Sequence, residues 1–244
     1  MKKLLLFLVG AFIAAPTTIC SEPLTLHMRT QIEQPPGSDQ WQEKIIVQDF
    51  DPEKVAFLIC DVWDKHWCKT LNARSGKIAH KAAPIVEALR ERGVKIIHAP
   101  SSCMGYYDKK SIPMPIDSSN CCPCTPTCTG YRAWTRQHPA IKITQDDLIS
   151  DKIEKIWPFL EKHEIKLVII IGVHTNMCVL GRSFGIKAMV KHGMPIVLVR
   201  DLTDAAYNPK QWPYVSNDEA TELMVHWIEK NYCPSIESRD LINK

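Results

Sequence analysis

The run Val168-Ile-Ile-Ile-Gly-Val-His-Thr-Asn-Met-Cys178-Val-Leu-Gly-Arg182 begins as a continuous β-branched segment. Such a run reads as a strand buried on both faces of a parallel sheet. It gives way through Gly172, His174, Thr175 and Asn176 to a helical pattern that starts at Cys178 and is predicted to continue to a stop at Gly193. A thiol at a helix N-terminus meets unpaired amides and the positive end of the macrodipole, which favour thiolate, so Cys178 reads as a nucleophile as well as a buried structural cysteine.

Working outward, residues 55–61, 94–98 and 196–200 repeat the apolar strand pattern, and amphipathic segments separate them. Ile78, Ala82, Ile85, Val86 and Leu89 make one helical stripe that Gly93 ends. Ser216-Asn-Asp-Glu219 is a capping box opening a last helix with Leu223, Met224 and Ile228 on its buried face. Pro158 interrupts the stripe Ile153, Ile156, Trp157, Leu160, and predicts a break or late start there. Strands alternating with helices imply right-handed crossovers, hence an α/β fold: a three-layer αβα, doubly wound, mostly parallel sheet with its site beyond the carboxyl ends of the strands.

Length and composition set the limits around this domain. With 244 residues and 45% hydrophobic content the chain can bury a full core, and 30 basic against 27 acidic residues leave no basic stripe of the kind a nucleic-acid surface needs. Lys2 and Lys3 precede an apolar run over 4–15 and a small-residue stretch, which reads as a signal peptide over 1–20. The expectation is an exported, periplasmic or secreted protein with no membrane association once mature. Residues 21–54 read as an irregular N-terminal arm around Pro35-Pro36-Gly37, with a short strand at 44–47, and 55–244 as one α/β domain.

Export changes the reading of the ten cysteines. Cys121, Cys122, Cys124 and Cys128 crowd into the Cys/Pro-rich loop over about 100–140, which reads first as a disulfide staple, with Cys68 and Cys103 as possible partners; a metal site and a redox motif are the other readings. A loop of that length is expected to cover the site.

Asp61 closes the first strand of the domain in Leu58-Ile-Cys-Asp61-Val-Trp63-Asp64-Lys-His66-Trp67. A carboxylate ending an apolar strand serves either chemistry or a loop cap. With a lysine upstream of the cysteine, and Gly172-Val-His-Thr175-Asn-Met-Cys178-Val179, the chain resembles the isochorismatase-like cysteine hydrolases, the superfamily that includes nicotinamidases and carbamoyl-amide hydrolases, over about residues 55–199. The resemblance implies that fold and a triad of Asp61, Lys142 and Cys178. It also implies a cis peptide at Val173-His174 and an oxyanion hole from the His174 and Cys178 amides. It implies a small amide or related C–N substrate, a covalent thioester, and frequent homo-oligomers.

Ala140-Ile-Lys142-Ile is predicted as a short strand aiming Lys142 into the site, where it should lower the thiol pKa; Arg136, Lys109 and Lys110 could substitute. The segment that usually follows the family's lysine is absent, and His98-Ala-Pro-Ser-Ser stands where nicotinamidases carry a metal pair, so nicotinamide is not favoured. Trp63, His66 and Trp67 are expected to form an aromatic substrate wall. Arg182 would clamp an anionic substituent or pair with Asp201 or Asp204. Asp64-x-His66 lacks a third ligand, so neither a metal nor another cofactor is expected. A non-hydrolytic ligand- or partner-binding protein of the same fold, and a thiol redox or metal protein centred on the cysteine loop, are the competing readings.

Overall fold

The computed structural model describes residues 21–107 and 134–242. The segment 1–20 read as a signal peptide, the four crowded cysteines, Lys109 and Lys110 lie outside the described residues. The chain runs β1 (Leu24–Glu33), β2 (Trp41–Phe50), β3 (Val55–Cys60), α1 (Lys69–Glu91), β4 (Lys95–Ala99), a single turn α2 (Met104–Tyr107), β5 (Leu148–Ile149), α3 (Ile153–Lys162), β6 (Leu167–Val173), α4 (Ile186–Lys191), β7 (Ile196–Asp204), α5 (Asn217–Asn231) and β8 (Ser235–Ile236). The sheet order is β2-β1-β8-β7-β6-β3-β4-β5, parallel from β8 to β5, with β1 and β2 joined as an antiparallel hairpin at one edge. This is the expected doubly wound α/β sheet.

Alternation along the central strands sorts the core into two layers. Val55, Phe57 and Ile59 of β3 and Ile169 and Ile171 of β6 face α1 through Ile78, Ala82, Ile85 and Leu89. Ala56, Leu58, Val168 and Ile170 point the other way, onto Ile156 and Leu160 of α3 and Val225 and Ile228 of α5. Every residue of β3 and β6 is buried. Each such aliphatic side chain contributes about 1.5–3 kcal/mol of transfer free energy, which makes this pair of strands the centre of the core. The order leaves β3 for β4 and β5 on one side and for β6 and β7 on the other, so β3 and β6 flank the topological switch point, where ligands bind in open α/β sheets.

The structure corrects three expectations. The irregular arm is two ten-residue strands, because Leu24, Leu26 and Met28 alternate with Thr25, His27 and Arg29 and bury one face, while Pro35-Pro36-Gly37 supplies the turn. Pro158 does not break α3: Ile156 and Leu160 are fully buried on the core face, and their packing offsets the lost backbone bond. The long helix expected from Cys178 is instead a π-helical turn over Thr175–Val179, a second turn, and the six-residue α4.

Gly172 holds the junction together. It pairs with Cys60 at φ +126°, and a Cβ there would overlap the Cys60 carbonyl. Gly172→Ala is therefore expected to unfold the protein or drive it into the insoluble fraction, measured as soluble yield and a thermal melt, whereas Gly181→Ala, with open space around it, should remain soluble.

Candidate active site

Asp61 follows β3 in the left-handed region, at φ +54°, a conformation that Asp tolerates better than most residues. The kink turns its carboxylate, fully buried, toward the end of β6. The Ser101 amide donates to Oδ1 at 2.6 Å, and Arg182 donates to Oδ2 through Nε and Nη2, each at 3.0 Å. The Cys178 thiol lies close enough to this carboxylate for each group to perturb the other's proton affinity. Asp61 and Cys178, 117 positions apart in the sequence, thus meet at the switch point.

The π turn carrying Cys178 is clasped to the end of β7. Thr175 and Thr203 share a hydroxyl bond at 2.7 Å, and the Asn176 side chain exchanges two 3.0 Å bonds with the backbone of Ala206. The Val173-His174 peptide is cis, as the resemblance implies, and the His174 amide lies beside the Cys178 sulfur, where it acts to lower the thiol pKa. The second expected oxyanion donor, the Cys178 amide, belongs to the π turn itself.

The electrostatics differ from the sequence expectation. The Cys178 thiol is pushed up to about 12, first by burial and then by the Asp61 charge, against the opposing pull of Arg182 and the His174 amide. A five-residue π turn has no extended macrodipole to oppose that desolvation. Asp61 is itself raised by burial, with Arg182 and the two hydrogen-bond donors acting to lower it. At rest the thiol of Cys178 therefore keeps its proton.

Lys142 is not part of this cluster. The expected strand at 140–143 does not form, the lysine side chain is exposed, and its backbone carbonyl accepts from Arg90 at 3.2 Å. Asp147 holds this segment as a loop against α1 and β4, accepting from Arg90, from the Thr144 amide and from the ring of His98, so the lysine is left on the outer surface. The cation that reaches Asp61 is Arg182, which pairs with neither Asp201 nor Asp204: Lys81 takes the former and Arg74 the latter. Arg136 lies against Tyr106.

Beside the sulfur, a cavity of about 580 Å³ is walled by Trp63, His66, Trp67, Trp134, His174 and Arg182. Trp134, which sequence reasoning missed, stacks on Trp63 with ring centroids 4.0 Å apart. Asp64 places it, accepting from the Thr135 hydroxyl and from the Thr135 and Arg136 amides; the Asp64 carboxylate is a loop anchor and not a metal ligand. Among the described residues no group of three His, Cys, Asp or Glu could hold a metal ion.

His66 and His174 meet across the wall at 3.3 Å between their Nε2 atoms. Burial lowers His66 to about 4, and burial with its histidine neighbour lowers His174 to about 3, so both rings are neutral at pH 7. For a histidine depressed in the folded state, the stabilisation is fully present above the ordinary value of 6.5 and drains as pH falls through 6.5 toward the folded value. Each unit of separation is worth about 1.4 kcal/mol. The urea midpoint is therefore expected to drop steeply between pH 6.5 and 4.5, and to drop less in His66→Phe; identical slopes would remove this pair as the cause.

No family model and no curated protein matches the chain. Solved structures do. A cysteine hydrolase from Pseudomonas syringae pv. phaseolicola 1448A superposes with a TM-score of 0.53 at 14% identity, over 79% of this chain and 94% of that one. An isochorismatase from Pseudomonas putida KT2440 gives a TM-score of 0.55 at 14% identity, over 78% and 91%. The chain has the isochorismatase-like hydrolase fold.

Proposed function

We propose that this protein, built on the isochorismatase-like fold, is a cysteine hydrolase of small amides or related C–N substrates that works through a thioester on Cys178. The observation carrying this reading is the buried thiol brought beside Asp61 and Arg182 at the switch point, with the His174 amide next to the sulfur and an open cavity in front of it. In the first step the thiol proton passes to Asp61 while sulfur bonds the carbonyl carbon, and the carbonyl electron pair moves to an oxyanion held by the His174 amide. Collapse of the adduct expels the nitrogen leaving group, which takes the proton back from Asp61. Water, deprotonated by Asp61, then attacks the thioester and releases the acid and the thiol. Arg182 fills the role expected of lysine, since its guanidinium stays charged and offsets the carboxylate throughout.

The aromatic walls suit a flat, uncharged acyl group. Arg182 is engaged by Asp61, and burying a substrate anion beside three indoles would leave its charge poorly compensated. The reading extends to a protein that acts on a small molecule and is exported, the export supported by Lys2, Lys3 and the apolar run over 4–15.

The direct test is intact-mass and peptide mapping after exposure to p-nitrophenyl acetate. An acetyl group on Cys178 that decays with time is expected; no adduct, or one confined to other residues, defeats the proposal.

A further inference from the structure

The neutral histidine pair has proton positions that the geometry determines. The Cys68 amide donates to His66 Nδ1 at 3.0 Å, so that nitrogen is the acceptor and the ring carries its hydrogen on Nε2. His66 Nε2–H then donates to His174 Nε2, which leaves His174 with its hydrogen on Nδ1, pointing at the Asp204 carbonyl at 3.3 Å. Three links run in one direction from the start of α1 to the end of β7, with one donor and one acceptor at each.

We propose that His66 is a positioning residue which, through the ring of His174, orients the His174 backbone amide beside the Cys178 sulfur. This rests on the hydrolase reading above. Residue 174 supplies that amide and accepts from the Met177 and Val179 amides of the turn that carries Cys178, and with both ring nitrogens tied its side chain cannot swing without breaking a buried bond. His66 is itself fixed: its own amide donates to Asn72 Oδ1 at 2.7 Å, and its ring packs on Trp67 and Trp134 at centroid separations of 4.8 and 5.7 Å. A second proton on either ring would set N–H against N–H, so the arrangement works with uncharged rings. The charged groups near the pair are Arg74 and Asp204, paired with each other, and Arg182 with Asp61 across the cavity. The two rings are not a metal seat, because His66 Nε2 carries the hydrogen and has no lone pair to give.

The experiment compares wild type, His66→Phe, which keeps the ring and removes the donor, and His66→Gln, which restores an N–H. Single-turnover acylation by p-nitrophenyl acetate and steady-state constants are measured across pH. His66→Phe is expected to slow acylation by about 10- to 100-fold, with KM changed by less than about threefold, because a displaced oxyanion donor weakens the transition state more than the ground state. His66→Gln should recover part of the rate. The acid limb of the acylation profile should also move to higher pH in His66→Phe, since His174 loses the neighbour that lowers it. An unchanged rate, a change confined to KM, or equal loss in both variants with a lowered melting temperature overturns the proposal while leaving Cys178 as nucleophile. A wild type that is never acylated at Cys178 defeats the hydrolase reading, and this proposal with it.

Discussion

Cys178→Ser is expected to lose turnover by on the order of a thousandfold or more while melting within a few degrees of the wild type. The wild-type thiol, at about 12, already depends on Asp61 to remove its proton at the moment of attack. A serine hydroxyl is harder still to deprotonate, and a carboxylate alone is too weak a base for it, with neither histidine of the pocket placed to help: both are committed to each other and to backbone groups. The substitution is nearly isosteric, so the melt should report an intact fold while kcat/KM collapses. Activity within tenfold of wild type would remove the covalent mechanism.

The second large effect is expected at Arg182, and it separates the structure from the sequence reading. Arg182→Ala leaves the Asp61 carboxylate buried without its cation, a loss of about 1–3 kcal/mol once the partial exposure of the guanidinium is allowed for. Removing a nearby positive charge raises Asp61 further, so the acid limb of kcat should shift to higher pH, and the thiolate becomes harder still to form. Acylation should slow by about 10- to 100-fold, with Arg182→Lys retaining part of the rate through a single-point contact. Lys142→Ala, on an exposed side chain, should change stability by less than about 0.5 kcal/mol and leave the rate unaltered. A large loss at Lys142 and none at Arg182 would reverse the assignment of the cation.

Local pattern was enough for the parallel core, since β-branched runs such as 168–171 have few conformations that bury them, and alternation with amphipathic stripes dictates crossovers. The placement of Asp61 and Cys178 at strand ends was equally legible, because a thiol or carboxylate is chemically conspicuous where an apolar run stops. The identity of their cation was not. The resemblance implied Lys142, but which cation reaches Asp61 depends on the path of the backbone: Asp147 holds residues 140–147 as a surface loop, and the π turn at 175–179 brings Arg182 over the carboxylate. The thiol pKa escaped the sequence for the same reason. A helix N-terminus would have lowered it, yet burial against Asp61 raises it, and desolvation is a property of the packed neighbours and not of the segment. Trp134 on Trp63, and the His66–His174 link across 108 positions, likewise exist through tertiary contact alone, since no local periodicity records which rings will meet when two strand ends converge.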